Sequence, residues 1–588
     1  MFSRYALFLL LISNLAFSQL SVRNDAYLFV NDEIVFVEDD INLNEANSTI
    51  YLRDEAQVIQ GTGTTGNSGV GELSVYQEAN VGAYEYNYWC SPIGSKTSNS
   101  VNNPFGITLL NDVTDLTNST PATIAHVAGY NSTSSPLTIE PYWVWKFIAS
   151  DDYSEWIHVL GATSLNPGEG FTMKGTTGSG DAQQYDFRGK PNNGTISVNV
   201  LNAQFSLVGN PYPSALDALA YIHDPENAAV ITGTLHFWEQ DPNINSHRVE
   251  AYDGGYATYT INAAGTVETY TPATFSTYNG NGTVNGAGSG SPSGKRPRRY
   301  IPIGQGFMVE GTATGTVKAK NSHRAYKKES IATDSTEFFK NSNTKKKRPK
   351  NINGFSKVPN DYKRFRLNID FNDTYTRQLV ETFHNSATHG FDYGLESNIH
   401  ESDILNSDAH WLIDGKPYLT EALPFDMALS IPVAIKINRA SQIRIRIADI
   451  QNFESDQPIY IHDTENNTFV NLKTQNFNIN LDANNYADRF QIVFSETRLS
   501  TVETNLDDLK VFQNNSISEL KILNPNSLDI KTIGLFDVNG KKVQDKRVLN
   551  LKKEYTYSTK SLNDGVYIIQ INFDNNQVFN KKIVVANK

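Results

Sequence analysis

The chain has one cysteine, four methionines and, past its first residues, no long apolar run. With Cys90 alone, no intrachain disulfide can form, so stability must come from buried cores. No later stretch approaches ~18 consecutive apolar residues, which excludes a helical membrane span and leaves a mature chain expected to be soluble. Basic residues are outnumbered, 50 Lys and Arg against 63 Asp and Glu, for a net charge of −13. That balance argues against nucleic acid as a partner. The usual catalytic signatures are missing too. There is no H-E-x-x-H, no G-x-S-x-G elbow and no D-x-D-x-D-G calcium loop. The literal G-x-G-x-x-G from Gly61 to Gly66 runs into more Gly, Asn and Ser and then a strand. A dinucleotide fingerprint needs a helix there, so this is a turn-rich loop. "GSGSPSGKRP" has Arg where a phosphate loop needs Ser or Thr and reads as a flexible loop. Cys90 lies among aromatics in "YNYWCSPIG" without a nearby His, as a buried inert thiol does.

What is plentiful is Tyr, Phe, Thr, Asn and Gly, a composition for strands and turns. Residues 1–18, "MFSRYALFLLLISNLAFS", have an early Arg, a short apolar core and a small-x-small end, the pattern of a cleaved secretory signal. Residues 19–85 read as an N-terminal β region, within which 26–60 alternate with a period of two, predicting half-buried strands. Two stretches then echo each other. "LNPGEGFTMKGTTGSG" matches "IPIGQGFMVEGTATGT", and "YWCSPIGS" before "YWVWKF" matches "VGNPYPSA" before "LHFWEQ". Residues 86–190 and 191–325 therefore read as two divergent copies of one β module. Gly170 and Gly306 should allow close backbone packing beside Phe171 and Phe307. A short helix is predicted in "PSALDALAYIHD". Between Lys318 and Arg366 there are 15 Lys and Arg against 4 Asp and Glu. Residues 326–360 read as a solvated basic linker, with a tether to acidic glycans as the alternative. Strands spaced by polar turns across 361–497 predict a jelly-roll-like sandwich, and 506–588 a small Ig-like sandwich with a hairpin turn at Asn539-Gly540. The expected fold is all-β: a multidomain chain of antiparallel β modules, a jelly-roll-like sandwich and a C-terminal Ig-like sandwich.

Two groups of residues are candidates for binding. Trp89, Trp143, Trp145 and Trp238 stand among many tyrosines in the two copies. Exposed rings of this kind stack on sugars or anchor a protein partner, whereas strand aromatics more often form core. Alternation in "YWVWKF" predicts Trp143, Trp145 and Phe147 on one buried face and Tyr142, Val144 and Lys146 on the other. The polar stretch 384–410 holds Asp392, Glu396, Asp403 and Asp408. These are hard oxygen ligands of the calcium type, or the side chains of a solvated loop. No other cofactor is indicated.

The C-terminal stretches "LFDVNGKKV", "SLNDGVYIIQI" and "KKIVV" resemble the type A C-terminal sorting domain of type IX secretion substrates. "VFQNNS" stands where that family has a Pro-Asn-Pro opening. The resemblance implies that Gly540, Lys541, Leu562, Gly565, Val566, Tyr567, Lys581 and Lys582 belong to a transport signal. It implies as partners the type IX machinery and a surface sortase-like protease that removes the domain, followed by release or attachment to lipopolysaccharide. The remainder, through "YNYWCSPIG", "LVGNPYPSALDA", "RQLVETFHNSATHGFDYGLES" and "ADRFQIVF", is similar to β-rich surface proteins of bacteria that use this route. It brings no activity with it. The expected protein is exported, non-enzymatic and adhesin-like or glycan-binding, at the outer-membrane surface or outside the cell. The alternatives are an enzyme or accessory acting on extracellular polysaccharide, and a structural matrix protein.

Both addresses are checked by mass. The exported chain is expected to begin at Gln19 and to end between residues 497 and 506. An intact Lys588 on surface protein would refute the second cut.

Overall fold

Period-two alternation marks strands with one buried face, such as Ile196–Val200 and Glu519–Leu523, whereas Gly170–Lys174 and Gly306–Gly311 are buried on both. The computed structural model describes residues 19–587, apart from 64, 81, 162–163, 179–181, 293–294, 330–354, 401–402, 497–508, 526, 548–551 and 574–577. The expected signal segment, most of the expected linker and the expected C-terminal cut lie outside the described residues. Strands dominate, and the only described α-helices are Ala218–Ile222 and Pro225–Ala228, each a single turn or little more. The first is the helix predicted from "PSALDALAYIHD", N-capped by Asp217 rather than by the Ser214 the pattern suggested. The chain divides into two compact units, Met1–Ser495 and Glu496–Lys588.

The first unit opens with parallel pairing, a departure from the antiparallel modules expected. Leu20–Val22 pairs in parallel with Ile41–Leu43, Tyr27–Asn31 with Thr49–Arg53, and Ile34–Val37 with Gln57–Gln60. Ser68–Gly69 and Glu72–Asn80 continue two of these stacks. The chain thus winds as a three-sided coil, one turn laid on the next. Val30, Val37, Ile41, Leu43, Ile50, Leu52 and Val58 fill its interior. Alternation cannot distinguish parallel from antiparallel partners. The usable signal was the offset of 21 to 23 residues between stacked strands, the period of a solenoid. This coil and the strands up to Phe187 share one apolar core, and residues 196–319 build a second.

The two cores meet at a seam of four strands. Tyr86–Cys90 pairs with Gly170–Lys174, and Phe205–Gly209 pairs with Gly306–Gly311, both antiparallel. In each pair the glycine that opens the later strand sits opposite the last residue of the earlier one: Gly170 opposite Cys90, Gly306 opposite Gly209. The pairs then press against each other, with bridges from Trp89 to Gln305 and from Glu169 to Val208. A Cβ at Gly306 would lie 2.8 Å from the Tyr88 carbonyl carbon, and one at Gly209 would lie 2.4 Å from the Cys90 Cβ. Only glycine fits this approach.

Residues 363–493, where a jelly-roll-like sandwich is expected, form one continuous eleven-stranded sheet around a shared apolar core. Lys363–Phe371 lies between Tyr375–Phe383 and Ser441–Gln451, and Ser430–Ile437 lies between Asp408–Ile413 and Asn484–Val493. Phe365, Trp411 and Phe490 are among the side chains packed between them. Two buried arginines fasten this sheet to the strand Glu268–Thr271. Arg364 donates to the Glu268 carbonyl at 2.9 Å and to the Thr269 hydroxyl at 2.8 Å, and Arg366 to the Tyr270 carbonyl at 2.6 Å. On the inner face, Glu381 and Glu421 are register neighbours in parallel strands. Burial and its neighbour Glu421 push the Glu381 carboxyl well above its ordinary value. Burial raises Glu421 to about 7 and Glu396 to about 8.

The second unit has sheets of three and four strands, within 510–558 and 530–585, around Val511, Ile522, Leu535, Tyr567, Ile569 and Ile583. It is the small sandwich expected.

Gly306→Ala overpacks the seam and should lower the stability of the first unit by about 1–3 kcal/mol, read in a denaturant titration. A melting point equal to wild type would show that the seam has slack. The buried glutamates are neutral when folded and ionised when unfolded. Their contribution is therefore whole below the ordinary value of 4.5 and is lost as pH rises through about 7 and about 8. The melting temperature of the first unit should fall across that range, each pKa unit counting for about 1.4 kcal/mol. Glu421→Gln should flatten the profile, and an unchanged slope would sink this assignment.

Candidate functional site

The rings of the first copy separate into buried and open groups. Trp89 is fully buried, edge-on to Tyr185 at 5.6 Å. Trp143 is buried as well, its indole N–H donating to the Tyr130 carbonyl at 2.7 Å. Trp145 is half-buried and stacks on His158 at 4.2 Å. Tyr142 lies 6.1 Å from Trp145, 5.5 Å from His158 and 5.3 Å from Tyr130. Tyr142 and Tyr130 are 40% and 48% exposed. Together Tyr130, Tyr142, Trp145 and His158 make a continuous open aromatic surface. Trp238 belongs to the seam instead: half-buried, parallel to Tyr88 at 6.4 Å, with its N–H donating to Gln240 at 3.3 Å.

The local fold explains why alternation misplaced these residues. "YWVWKF" is not one strand. Pro141–Trp143 is a 3-10 turn capped by the Glu140 carboxylate, and only Trp145–Lys146 is strand. The turn rotates the chain, so Val144 is fully buried and Trp145 reaches the surface edge. The expected single buried face of Trp143, Trp145 and Phe147 is thereby corrected: Trp143 and Phe147 are buried, and Trp145 is not.

Beneath the open rings lies a group that pattern reading missed. Lys174, at the end of Gly170–Lys174, is 1% exposed. Its Nζ sits 3.7 Å from the centroid of Trp143 and 4.7 Å from that of Tyr86. It donates to the Tyr252 hydroxyl at 2.6 Å and to His247 Nδ1 at 2.9 Å. That bond requires an Nδ1 lone pair, so Nε2 carries the proton and donates to Asn131 at 2.8 Å. Burial lowers Lys174 to about 6, and burial with Lys174 beside it lowers His247 to about 4. The ring faces favour an ammonium at the same position. His247 and Tyr252 come from residues 191–325, so this polar knot ties that region to residues 86–190 directly under the aromatic surface. A lysine closing an otherwise apolar strand was its one signal in the sequence.

The carboxylates of 384–410 are not gathered at a point. Asp408 is fully buried and holds Arg377 through two bonds of 2.7 Å. Asp392 accepts from the Thr388 amide at 2.6 Å. Glu396 accepts from the Asp392 and Ala422 amides at 2.8 and 3.1 Å, and Asp403 is half-buried on the loop leading to Asp408. These side chains brace the loop. Among the described residues no three His, Cys, Asp or Glu side chains lie together as a metal site would require. The Cys90 thiol is buried, and burial raises its pKa far above the ordinary value. That matches an inert thiol.

In the second unit, Gly540 has φ +78° and closes the turn between Asp537 and Lys541. The Asp537 carboxylate accepts from the Lys541 amide at 2.9 Å. Leu562 packs on the core just before the strand Gly565–Phe573, which carries Val566 and Tyr567. The Tyr567 hydroxyl donates to the Asn563 carbonyl at 2.9 Å. Lys581 and Lys582 are exposed on Val578–Val585, opposite Ile569 and Ile568. Tyr567 and Leu562 thus hold the fold, and the lysine pair is presented to solvent.

Comparison with known proteins agrees with this division. The family described as "Secretion system C-terminal sorting domain" matches residues 510–586. It marks the chain as exported by type IX secretion to the cell surface or beyond, and as a client of that machinery. No curated protein matches the chain. A solved structure titled "Biofilm associated protein - BSP domain" aligns over 76% of this chain and 87% of its own, at 8% identity and a TM-score of 0.11, too low to carry any argument. The family described as "Domain of unknown function (DUF8693)" matches residues 117–494. That span takes in residues 191–325, the sheet of residues 363–493 and all four residues of the aromatic surface, and the chain belongs to this family.

Proposed function

We propose that the exported chain is a non-enzymatic, adhesin-like surface protein that binds glycans on the aromatic surface of its first copy. The observation that carries this reading is the open set Tyr130, Tyr142, Trp145 and His158. Tyr130 and Tyr142 are exposed to solvent and Trp145 and His158 half-buried, while their neighbours Trp89 and Trp143 are buried. Such rings offer an apolar face to the C–H side of a sugar and a polar edge to its hydroxyls. No described group bonds to the Tyr130 or Tyr142 hydroxyl. The matched register of the two seam pairs supports a duplicated module. The carboxylates of 384–410 are engaged in bracing, so the reading needs no cofactor. Removal of the sorting domain by a sortase-like protease, with release or attachment to lipopolysaccharide, completes it.

A broad glycan array probed with the secreted chain, with and without calcium, tests the reading. Binding to a defined sugar class is expected. Trp145→Ala should weaken it by about 1–2 kcal/mol, roughly tenfold, with the melting point unchanged. Binding that vanished without calcium would move the site to 384–410. No binding across the panel, or full binding by Trp145→Ala, would overturn the assignment.

A further inference from the structure

The first turn of the N-terminal coil ends the stack on all three sides. Leu20–Val22, Tyr27–Asn31 and Ile34–Val37 are each the outermost strand of their sheet. Among the described residues, no strand pairs with their outer edges. An open edge normally carries lysine, proline or a bulge against further pairing. Here the strands read "LSV", "YLFVN" and "IVFV", with no charge, proline or glycine. Their outward side chains are large and apolar: Tyr27 is 64% exposed, Phe36 60% and Ile34 39%. By contrast, the second turn of the coil is met by the second copy, through the Val58 amide to the Pro213 carbonyl and Arg324 to the Val58 carbonyl. Capping of this kind is what a solenoid end requires.

We propose that this open end pairs edge to edge with the same end of a second copy, forming a two-fold dimer. The occupant must present three strand edges in the same three-sided outline, and the equivalent end of another copy does. A two-fold axis near Phe29 turns Tyr27–Asn31 into an antiparallel partner of itself. The same operation lays Leu20–Val22 against Ile34–Val37 of the other copy. Each contact is isologous, so the assembly closes at two and does not grow into a fibre. The corner carrying Arg23, which is exposed, then faces the corner carrying Asp32 and Glu33. At that corner Lys328 already pairs with Asp32 at 2.9 Å, and Glu33 is exposed. The complementarity at each end of the central pair thus rests on Arg23 of one copy and Glu33 of the other, with exposed Asp25 beside Arg23 and Lys328 already holding Asp32. The result goes beyond glycan binding: two aromatic surfaces on one particle, and higher avidity for a repeating ligand.

Sedimentation of the secreted chain over a concentration series, with hydrogen exchange on residues 20–37, tests the proposal. The expected mass is twice that of the chain, with edge amides that lose protection on dilution. Tyr27→Lys and Phe36→Lys, at exposed positions, should each halve the mass and leave the melting point unchanged. A wild-type monomer at every concentration would overturn the proposal. So would a dimer that survives both substitutions, or edge amides protected in the monomer, which would mean the chain covers its own end.

Discussion

The close approach of two strand pairs at the seam is the constraint on which the first unit turns. The pairs Tyr86–Cys90 with Gly170–Lys174 and Phe205–Gly209 with Gly306–Gly311 each contribute side chains to their own core. The two pairs are pressed together at glycine, closer than any side chain would allow. Tyr88 can then reach across to the Tyr256 hydroxyl at 2.8 Å and lie parallel to Trp238. Lys174 can reach Tyr252 and His247. A wider gap would leave both polar contacts unmade and expose Leu207 and Met308, which are buried in the same cluster. Because burial of unsatisfied donors is costly, the seam either closes completely or fails. The aromatic surface around Tyr142 inherits its shape from that closure, since Trp143 forms both its floor and the lid over Lys174.

Charge inside the first unit follows the same logic. The sheet of residues 363–493 is not merely next to the second copy. Arg364 and Arg366 leave it fully buried and donate to the backbone carbonyls of Glu268 and Tyr270, with Nε and Nη2 of Arg366 left without a partner among the described residues. Arg377 is closed on Asp408. Buried cations are tolerable where every contact is directional and pre-placed. These contacts make residues 363–493 and the copies one unit instead of beads on a string. A chain with a single cysteine replaces cross-links with buried ionic fasteners and large apolar cores. Glu381 and Glu421, held as neutral acids, extend that economy to a pair that needs a proton rather than a counter-ion.

Much of this was legible in the sequence, and the failures have physical causes. The G-x-G-F motif pointed to close packing because glycine beside a large aromatic in a strand has few other uses. The sorting domain was readable because its turn glycine, Tyr567 and lysine pair occur at spacings that few other small sandwiches share. The parallel coil was not read, because alternation reports which face is buried and says nothing of the partner's direction. The Trp143 and Trp145 faces were misassigned because a proline-led 3-10 turn interrupts the strand, and Pro141 was the cue that a strand could not run through. The four carboxylates of 384–410 looked like a ligand set because composition cannot show that Asp408 is already closed on an arginine from another strand.

The two units differ in what their surfaces ask of a partner. In the sorting domain the lysine pair is exposed on a strand whose Ile583 and Val585 enter the core, Lys581 and Lys582 pointing to opposite faces. In the first unit nothing comparable is isolated. Its rings occupy a gradient from fully buried Trp89, through Trp143, to open Tyr142, and one residue type supplies core, seam and surface alike. Counting aromatics therefore could not locate a site. Among the described residues no group bonds to the Tyr130 or Tyr142 hydroxyl, while Tyr88 and Tyr252 within the seam have partners and His158 Nε2 lies 3.2 Å from the Pro141 carbonyl. The open polar edges of the aromatic surface are therefore those of its two exposed tyrosines.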